Sequence, residues 1–584
     1  MSEIISHETS EYWGLTVDHY PRLYQNDALS TLTQVILDDE HRGLWRQDAL
    51  RTMEDICMLS DPKLDLLISA EIHKRVTLEK LKLVHKLSLN VNELDNFALS
   101  RLVAGCVILL LSVKPSPLYF EYGYLCFRIM VISLNFCLLR YAYRSDPDAR
   151  EMHDDSDDNN ISLLNLWTAC AGLLRVELTG CAKEFYGSSY AGPPGHWNIT
   201  LLEQPKFEEL LNVLHTDQKN LTIALKGSRS LGLSSFMYVL WKFIETKRAV
   251  IGIDEYQERF LKPYSRILYR CFLVLPRFKS ELSAAKLVSC LVDTPEFMLV
   301  DSKPVDLEDS RNMIQAYTRY LKYESQKNAL DVLQCFRMLA FVTPLVTPGC
   351  DDLIPDAFKA TMQTIWQVLL APRLEPIKPA ETLEFVLQCL WVILTGLEPS
   401  FNEDSDCPEP WIFDLTKSII TSDLVGIMLR VALYATSPTN ERARQKSLSS
   451  STSSHSREAV DGEHMLKTLR KIAHFSMDIM SLIPDETLEH RLRESGSFRD
   501  WRKYLTFFGS YDLIDPLHIN RTTYYACTFW VGELCGYVLG EEWKEEMLAM
   551  QTSAICGNPR CPFPFGAEFG NGGVPYCNMR CQAM

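Results

Sequence analysis

The sequence predicts an all-α fold, an irregular array of helices that ends in a small cysteine-rich hairpin. Three observations predict it. Apolar residues recur at helical spacing in segment after segment, period-two alternation is scarce, and four cysteines crowd into the last stretch of the chain.

The helical periodicity is clearest in Glu381 to Leu394. There Leu383, Val386, Leu387, Leu390 and Leu394 form one stripe, and Phe385, Cys389, Val392 and Ile393 form a second. A helix apolar on two sides sits between layers. Ala329, Val332, Leu333, Phe336, Leu339, Ala340 and Phe341 repeat the pattern. Only Ala249 to Ile253 and Phe297 to Val300 read as weak strands.

Roughly twenty helical segments can be marked in this way, with breaks such as Lys114 to Pro117, Thr347 to Asp352 and Pro372 to Pro379. This rhythm suits antiparallel helix pairs stacked as in armadillo or HEAT arrays. No fixed period is present, so the expected array is irregular, and a compact multi-helix domain is its rival.

The expected order is an N-terminal helical region (1–145), an acidic loop (146–160), a central helical array (161–435), a Ser-rich flexible linker (436–462), a C-terminal helical region (463–552) and a cysteine-rich finger (553–584). The acidic loop holds Asp146, Asp148, Glu151, Asp154, Asp155, Asp157 and Asp158, without the Gly turn and terminal Glu of a calcium loop. Gly187 to Gly195 reads as a loop of specific shape. In the linker, Arg442, Arg444 and Lys446 precede Ser447.

Composition supports a packed core: 47% of the 584 residues are hydrophobic and 23% charged. The net charge of −16 repels polyanions, so nucleic acid is not expected as a partner. The most basic stretch is Lys74, Arg75, Lys80, Lys82 and Lys86, opposite the apolar Val76, Leu81, Val84 and Leu87. It reads as the solvated face of an amphipathic helix.

Met1 to Tyr20 is polar and acidic and lacks a secretory pattern. The expected compartment is the cytoplasm or the nucleus, where most of the 18 cysteines are small buried hydrophobes. Leu102 to Val113 is too short for a membrane span, and Tyr124 to Leu139 is interrupted by Arg128 and Asn135. No membrane partner is expected.

Little in the sequence points to catalysis. Lys226 to Gly232 invites comparison with a phosphate-binding loop but lacks the Gly-Lys-Ser/Thr ending. No nucleophile elbow, His-Glu-x-x-His helix or dinucleotide fingerprint is present, and the 13 histidines are scattered. No catalytic or cofactor-binding residues are assigned, and the chain is not expected to be an enzyme. An active site assembled from distant residues and membrane association through Leu102 to Leu139 are the alternatives.

The last four cysteines read Cys556-x4-Cys561 and, after a loop, Cys577-x3-Cys581. Two close pairs on a folded-back loop offer four thiolates at tetrahedral corners, which suits zinc at about 2.3 Å. Pro559, Pro562 and Pro564 stiffen the first pair, and Gly566, Gly570, Gly572 and Gly573 let the loop turn. The tail has little core of its own, so metal would supply much of its folding energy. Free thiols and two disulfides are the other states open to these residues.

Cys556-Gly-Asn-Pro-Arg-Cys-Pro562 and Tyr576-Cys-Asn-Met-Arg-Cys-Gln582 resemble a MYND-type zinc finger, in the variant that ends large helical proteins of mushroom-forming fungi. The resemblance implies that Cys556, Cys561, Cys577 and Cys581 hold the first of that finger's two zinc ions. The family's middle cysteine pair, due near Phe569 to Gly572, is absent, as are its terminal His and Cys. One zinc ion is therefore expected. MYND fingers are protein-interaction modules, so the expected function is that of a scaffold with a helical-repeat body, a zinc-binding tail and a protein partner. The tail is also placed to clamp a helix expected at Thr522 to Met550.

Overall fold

The computed structural model describes residues 12–25, 39–145, 168–172, 174, 204–228, 230–248, 250–275, 303–326, 332–370, 379–397, 410–424, 426–428, 430, 431, 454–481 and 490, with short strands at 568–569 and 575–576. Regular structure among these residues is helical, as expected, apart from those strands and one isolated bridge, Thr16 to Phe120. The chain divides into two units, Met1–Ser302 and Lys303–Met584.

The first unit holds α1 (Tyr20–Leu23), α2 (Asp39–Met58), α3 (Leu66–Arg75), α4 (Leu78–Ser88), α5 (Leu94–Phe97), α6 (Ser100–Ser112), α7 (Glu121–Ser145), α8 (Gln204–Thr216), α9 (Gln218–Ser228), α10 (Leu233–Arg248), α11 (Ile253–Tyr256) and α12 (Lys262–Val274). Its centre is α7, which packs against α4, α5, α6 and α10. Helix α2 lies across α4 and α6 and closes a ring of four helices. Helix α12 packs on α8, α9 and α10, and α8 also reaches α6. The helices of residues 204–275 thus belong with those of residues 20–145, and the central array expected over 161–435 is divided at Ser302.

The two apolar stretches weighed as spans are both largely buried. The window Glu121–Arg140 is long and apolar enough to cross a membrane, but 94% of it is buried inside the unit. Helix α6 is shorter and buries Leu102, Val103, Cys106, Val107, Leu109 and Leu110. It approaches α2 so closely that a Cβ on Gly105 would lie 1.9 Å from the Ile56 carbonyl oxygen.

Residues 250–252 form a turn rather than the expected strand, with the Val250 and Ile251 amides donating to the Lys247 carbonyl (3.0 and 3.1 Å), and Ile253 starts α11. Between α11 and α12 the helix widens to a π turn at Gln257–Leu261. Pro263 follows it, and its missing N–H removes one i→i−4 bond from the ladder there. The other expected strand, Phe297 to Val300, lies outside the described residues, as do the acidic loop, Gly187 to Gly195 and the helix expected at Thr522 to Met550.

The second unit holds α13 (Leu307–Gln326), α14 (Val332–Val342), α15 (Ile354–Leu370), α16 (Pro379–Gly396), α17 (Pro410–Thr421) and α18 (Ser454–Ser481). Among these named helices alternate ones pack together: α13 on α15 and α15 on α17, then α14 on α16 and α16 on α18, with α13 also touching α14; helical residues 424, 426–428, 430 and 431 fall between α17 and α18. The first row is joined by Tyr317 and Thr361 hydroxyls 3.0 Å apart and by Trp366 Nε1–H donating to the Ser422 carbonyl (2.8 Å). In the second row His464 faces Glu381 and Lys471 faces Glu384, in the same order along both helices.

The sequence stripe of α16 is confirmed on one side, where Leu383, Val386, Leu387, Leu390 and Leu394 are buried. The second stripe is split. Cys389 and Ile393 are buried, Phe385 is half-buried and Val392 is exposed, because only part of that side faces a neighbour. Helix α18 begins at Ser454, inside the stretch expected as linker. Near the C-terminus β1 (Glu568–Phe569) pairs antiparallel with β2 (Pro575–Tyr576), Glu568 opposite Tyr576 and Phe569 opposite Pro575.

The close approach at Gly105 makes a direct test. Gly105→Ala should destabilise the first unit by about 1–3 kcal/mol, the usual cost of overpacking. Gly43→Ala, in α2 with nothing within 4 Å of the new methyl group, should be neutral or slightly stabilising. Urea unfolding of both variants checks the contrast.

Candidate functional site

Cys556, Cys561, Cys577 and Cys581 all lie outside the described residues. The described part of this region is the β1–β2 ladder, which falls between the two cysteine pairs. Because Glu568 sits opposite Tyr576, the chain reverses direction between Cys561 and Cys577. Among the described residues no group of three or more His, Cys, Asp or Glu is placed to hold a metal ion.

Several described cysteines are embedded thiols. Burial pushes the Cys57 and Cys389 thiols up to about 11 and Cys137 up to about 12, and it raises Cys106 and Cys126 as well. A thiol held protonated is a poor nucleophile and a poor metal ligand. These side chains act as small hydrophobes, in keeping with their single placement along helices.

The basic stretch, expected on one amphipathic helix, spans two: Lys74 and Arg75 end α3, and Lys80, Lys82 and Lys86 lie on α4, beyond the break at Val76 and Thr77. Val76, Leu81, Val84 and Leu87 are buried beneath it. Above them Arg75 pairs with Asp55 (2.6 Å), Lys82 with Glu79 (3.0 Å) and Glu121 (3.4 Å), and Lys86 lies over the Trp45 ring at 5.1 Å.

A line of buried polar groups runs along α7. Glu121, Arg128 and Asn135 are spaced by seven residues, two turns of helix, and so share one side of it. All three are buried. The Glu121 carboxylate accepts from the Tyr24 hydroxyl (2.6 Å) and the Leu15 amide (3.3 Å). The Arg128 guanidinium donates to the Leu231 carbonyl, and Asn135 Nδ2 donates to the carbonyls of Gly232 (2.9 Å) and Val131 (2.8 Å). Between them the Tyr124 hydroxyl meets Ser230 Oγ at 3.0 Å, itself 2.7 Å from Ser228 Oγ.

This seam accounts for the end of the Lys226 to Gly232 stretch, whose first three residues close α9. Its last carbonyls are acceptors for α7, and Gly232 adopts φ +86°, where a Cβ would lie 2.9 Å from Asn135 Nδ2. The loop is a socket for an arginine and an asparagine of the same chain.

Two neighbours extend the network. Asp217, just before α9, accepts from Ser116 Oγ (2.6 Å), the Leu118 amide (2.7 Å) and Asn220 Nδ2 (2.8 Å). Burial raises its carboxyl and outweighs the opposing pull of those bonds. His85 is buried edge-on to the Tyr24 ring (5.3 Å, 87°). Burial, and then the charge of Arg128, push its imidazole down to about 3. The arrangement binds backbone: Glu121, Arg128, Asn135 and Asp217 each hold at least one main-chain group.

The sequence contains a signal for this seam, the seven-residue spacing of three polar residues in an apolar run, although Arg128 and Asn135 by themselves read only as interruptions of a span. No protein-family model matches the chain, and neither a curated protein nor a solved structure matches it.

His85 gives the seam a pH signature. Its folded value lies below the unfolded one of about 6.5, so unfolding takes up a proton between those values and stability falls as pH drops through that window. The slope from one such group is about 1.4 kcal/mol per pH unit. His85→Leu should lose that slope between about pH 6 and 4, where urea unfolding at a series of pH values measures it. An unchanged slope would mean that His85 is charged in the folded protein.

Proposed function

We propose that the chain is a protein-interaction scaffold, with an armadillo- or HEAT-like array in its second unit and a C-terminal tail that binds one zinc ion through Cys556, Cys561, Cys577 and Cys581. The observation that carries the array is the packing of alternate helices into two rows, α13–α15–α17 and α14–α16–α18. Stacked helix pairs produce that pattern, since each pair adds one helix to each row. An array of this kind exposes much surface per residue, which suits a protein ligand. The excess of acidic side chains favours a basic one.

The zinc reading rests on donor chemistry and chain path. Four thiolates in two close pairs are a complete structural zinc set. The β1–β2 ladder supports it, because a reversal between Cys561 and Cys577 is the path that lets two such pairs face each other. Bound zinc would hold the two ends of the hairpin together and contribute to folding directly. The resemblance to a MYND-type finger, first site only, makes the tail a second place for a protein partner to dock.

Elemental mass spectrometry on full-length protein purified without chelator should give about one zinc per chain, and none in Cys577→Ser/Cys581→Ser. Zinc-free wild type would remove the metal from this reading. Affinity capture with the same two proteins tests the scaffold. A stoichiometric partner that the array retains and the double variant holds less well is expected, and capture of no partner under crosslinking would overturn it.

A further inference from the structure

Helix α3 leaves its bulkiest side chains in water. Of its ten residues only Ile72 is buried, whereas Leu66 is 86% exposed, Leu67 81% and Ile68 49%. Asp61 Oδ1 accepts from the Lys63 amide (2.9 Å) and Asp65 Oδ1 from the Leu67 amide (2.7 Å), so the chain turns into a capped helix start at the two leucines. A helix this short is marginal in water without a packed face, so its stability depends on what covers it. The three apolar residues are consecutive and crowd the first turn. They do not form the i, i+3, i+4, i+7 stripe that a helix presents to a partner's groove.

One segment of this chain is tethered at the other end of the same helix. The Tyr12 hydroxyl donates to the His73 carbonyl (3.2 Å), and the neighbouring Trp13 ring packs edge-on to Tyr122 at 4.9 Å. From His73 back to Leu66 the helix spans about 10 Å at 1.5 Å per residue. The stretch from Ile5 to Tyr12 reaches at most roughly 25 Å when extended. Ile4 and Ile5 are therefore an apolar pair within reach of Leu66 and Leu67, and Glu8 and Glu11 lie between them and the tether. The exposed Lys74, beside His73, supplies the complementary charge.

We propose that the first turn of α3 is a docking site for residues 1–11 of this chain, with Ile4 and Ile5 covering Leu66 and Leu67 and the glutamates passing Lys74. An external ligand for α3 would then compete with the chain's own N-terminal segment.

Amide hydrogen exchange on the full-length protein tests this. In Ile4→Glu/Ile5→Glu, which alters no described residue, the α3 amides should exchange about tenfold faster while α6 and α7 are unchanged. In Leu66→Ser/Leu67→Ser, a glutamate-specific protease should cleave after Glu8 about tenfold faster than in wild type. No change in either variant overturns the proposal. Protection of α3 that disappears on dilution would overturn it in favour of a second copy. Leucine-dependent co-sedimentation of the wild type with phosphatidylcholine–phosphatidylserine vesicles would overturn it in favour of a lipid surface.

Discussion

The first unit depends on a charge inside its core. Arg128 is buried two turns into α7, and a guanidinium there is tolerable only if its protons find acceptors. The Leu231 carbonyl is one of them, and to offer it the chain between α9 and α10 must turn back towards α7. The left-handed Gly232 lets it do so, and Asn135 holds the adjacent carbonyl. At the other end of the same face, Glu121 draws in the segment from Leu15 to Tyr24. The path of two connections and the seating of α10 thus follow from satisfying three side chains on one helix. Replacing any one of them would orphan a buried polar group, which costs more than its hydrogen bond contributes.

Periodicity made the helices legible and little else. The stripe Leu383, Val386, Leu387, Leu390, Leu394 could be read from the sequence because a buried helix face imposes its repeat on residue type. The split fate of Phe385 and Val392 could not, since both are apolar and only the position of neighbouring helices decides which is covered. The division at Ser302 was hidden for a similar reason. An acidic run such as 146–160 marks a stretch that water can cover, whereas unit boundaries are set by which helices share a core.

The site residues divide in the same way. Ligand spacing singles out the four terminal cysteines because zinc constrains sequence locally. The seam of α7 joins residues from Leu15 to Gly232, and of that only the spacing of Glu121, Arg128 and Asn135 is visible in one dimension. The two rows of the second unit show why no repeat period could be found. Leu307 to Ile354 and Val332 to Pro379 are equal steps, but the next helices start at Pro410 and Ser454, after connections of different length. Stacking needs each pair to present a matching face and places no such demand on the loops.

The buried polar face of α7 has a second consequence, which belongs to synthesis. A nascent chain presents α4, α5 and α6 to α7 before α10 has been made, so on a helix apolar and long enough to cross a membrane the face of Arg128 and Asn135 is covered last. An arginine near the middle of such a helix opposes insertion by about 2.5–3.5 kcal/mol, and Asn135 and Glu121 add to the barrier. Until the carbonyls of Leu231 and Gly232 arrive, the hydrogen-bonding groups of Arg128 and Asn135 need water, so the side chains that later fasten the loop also raise the cost of moving the segment into lipid.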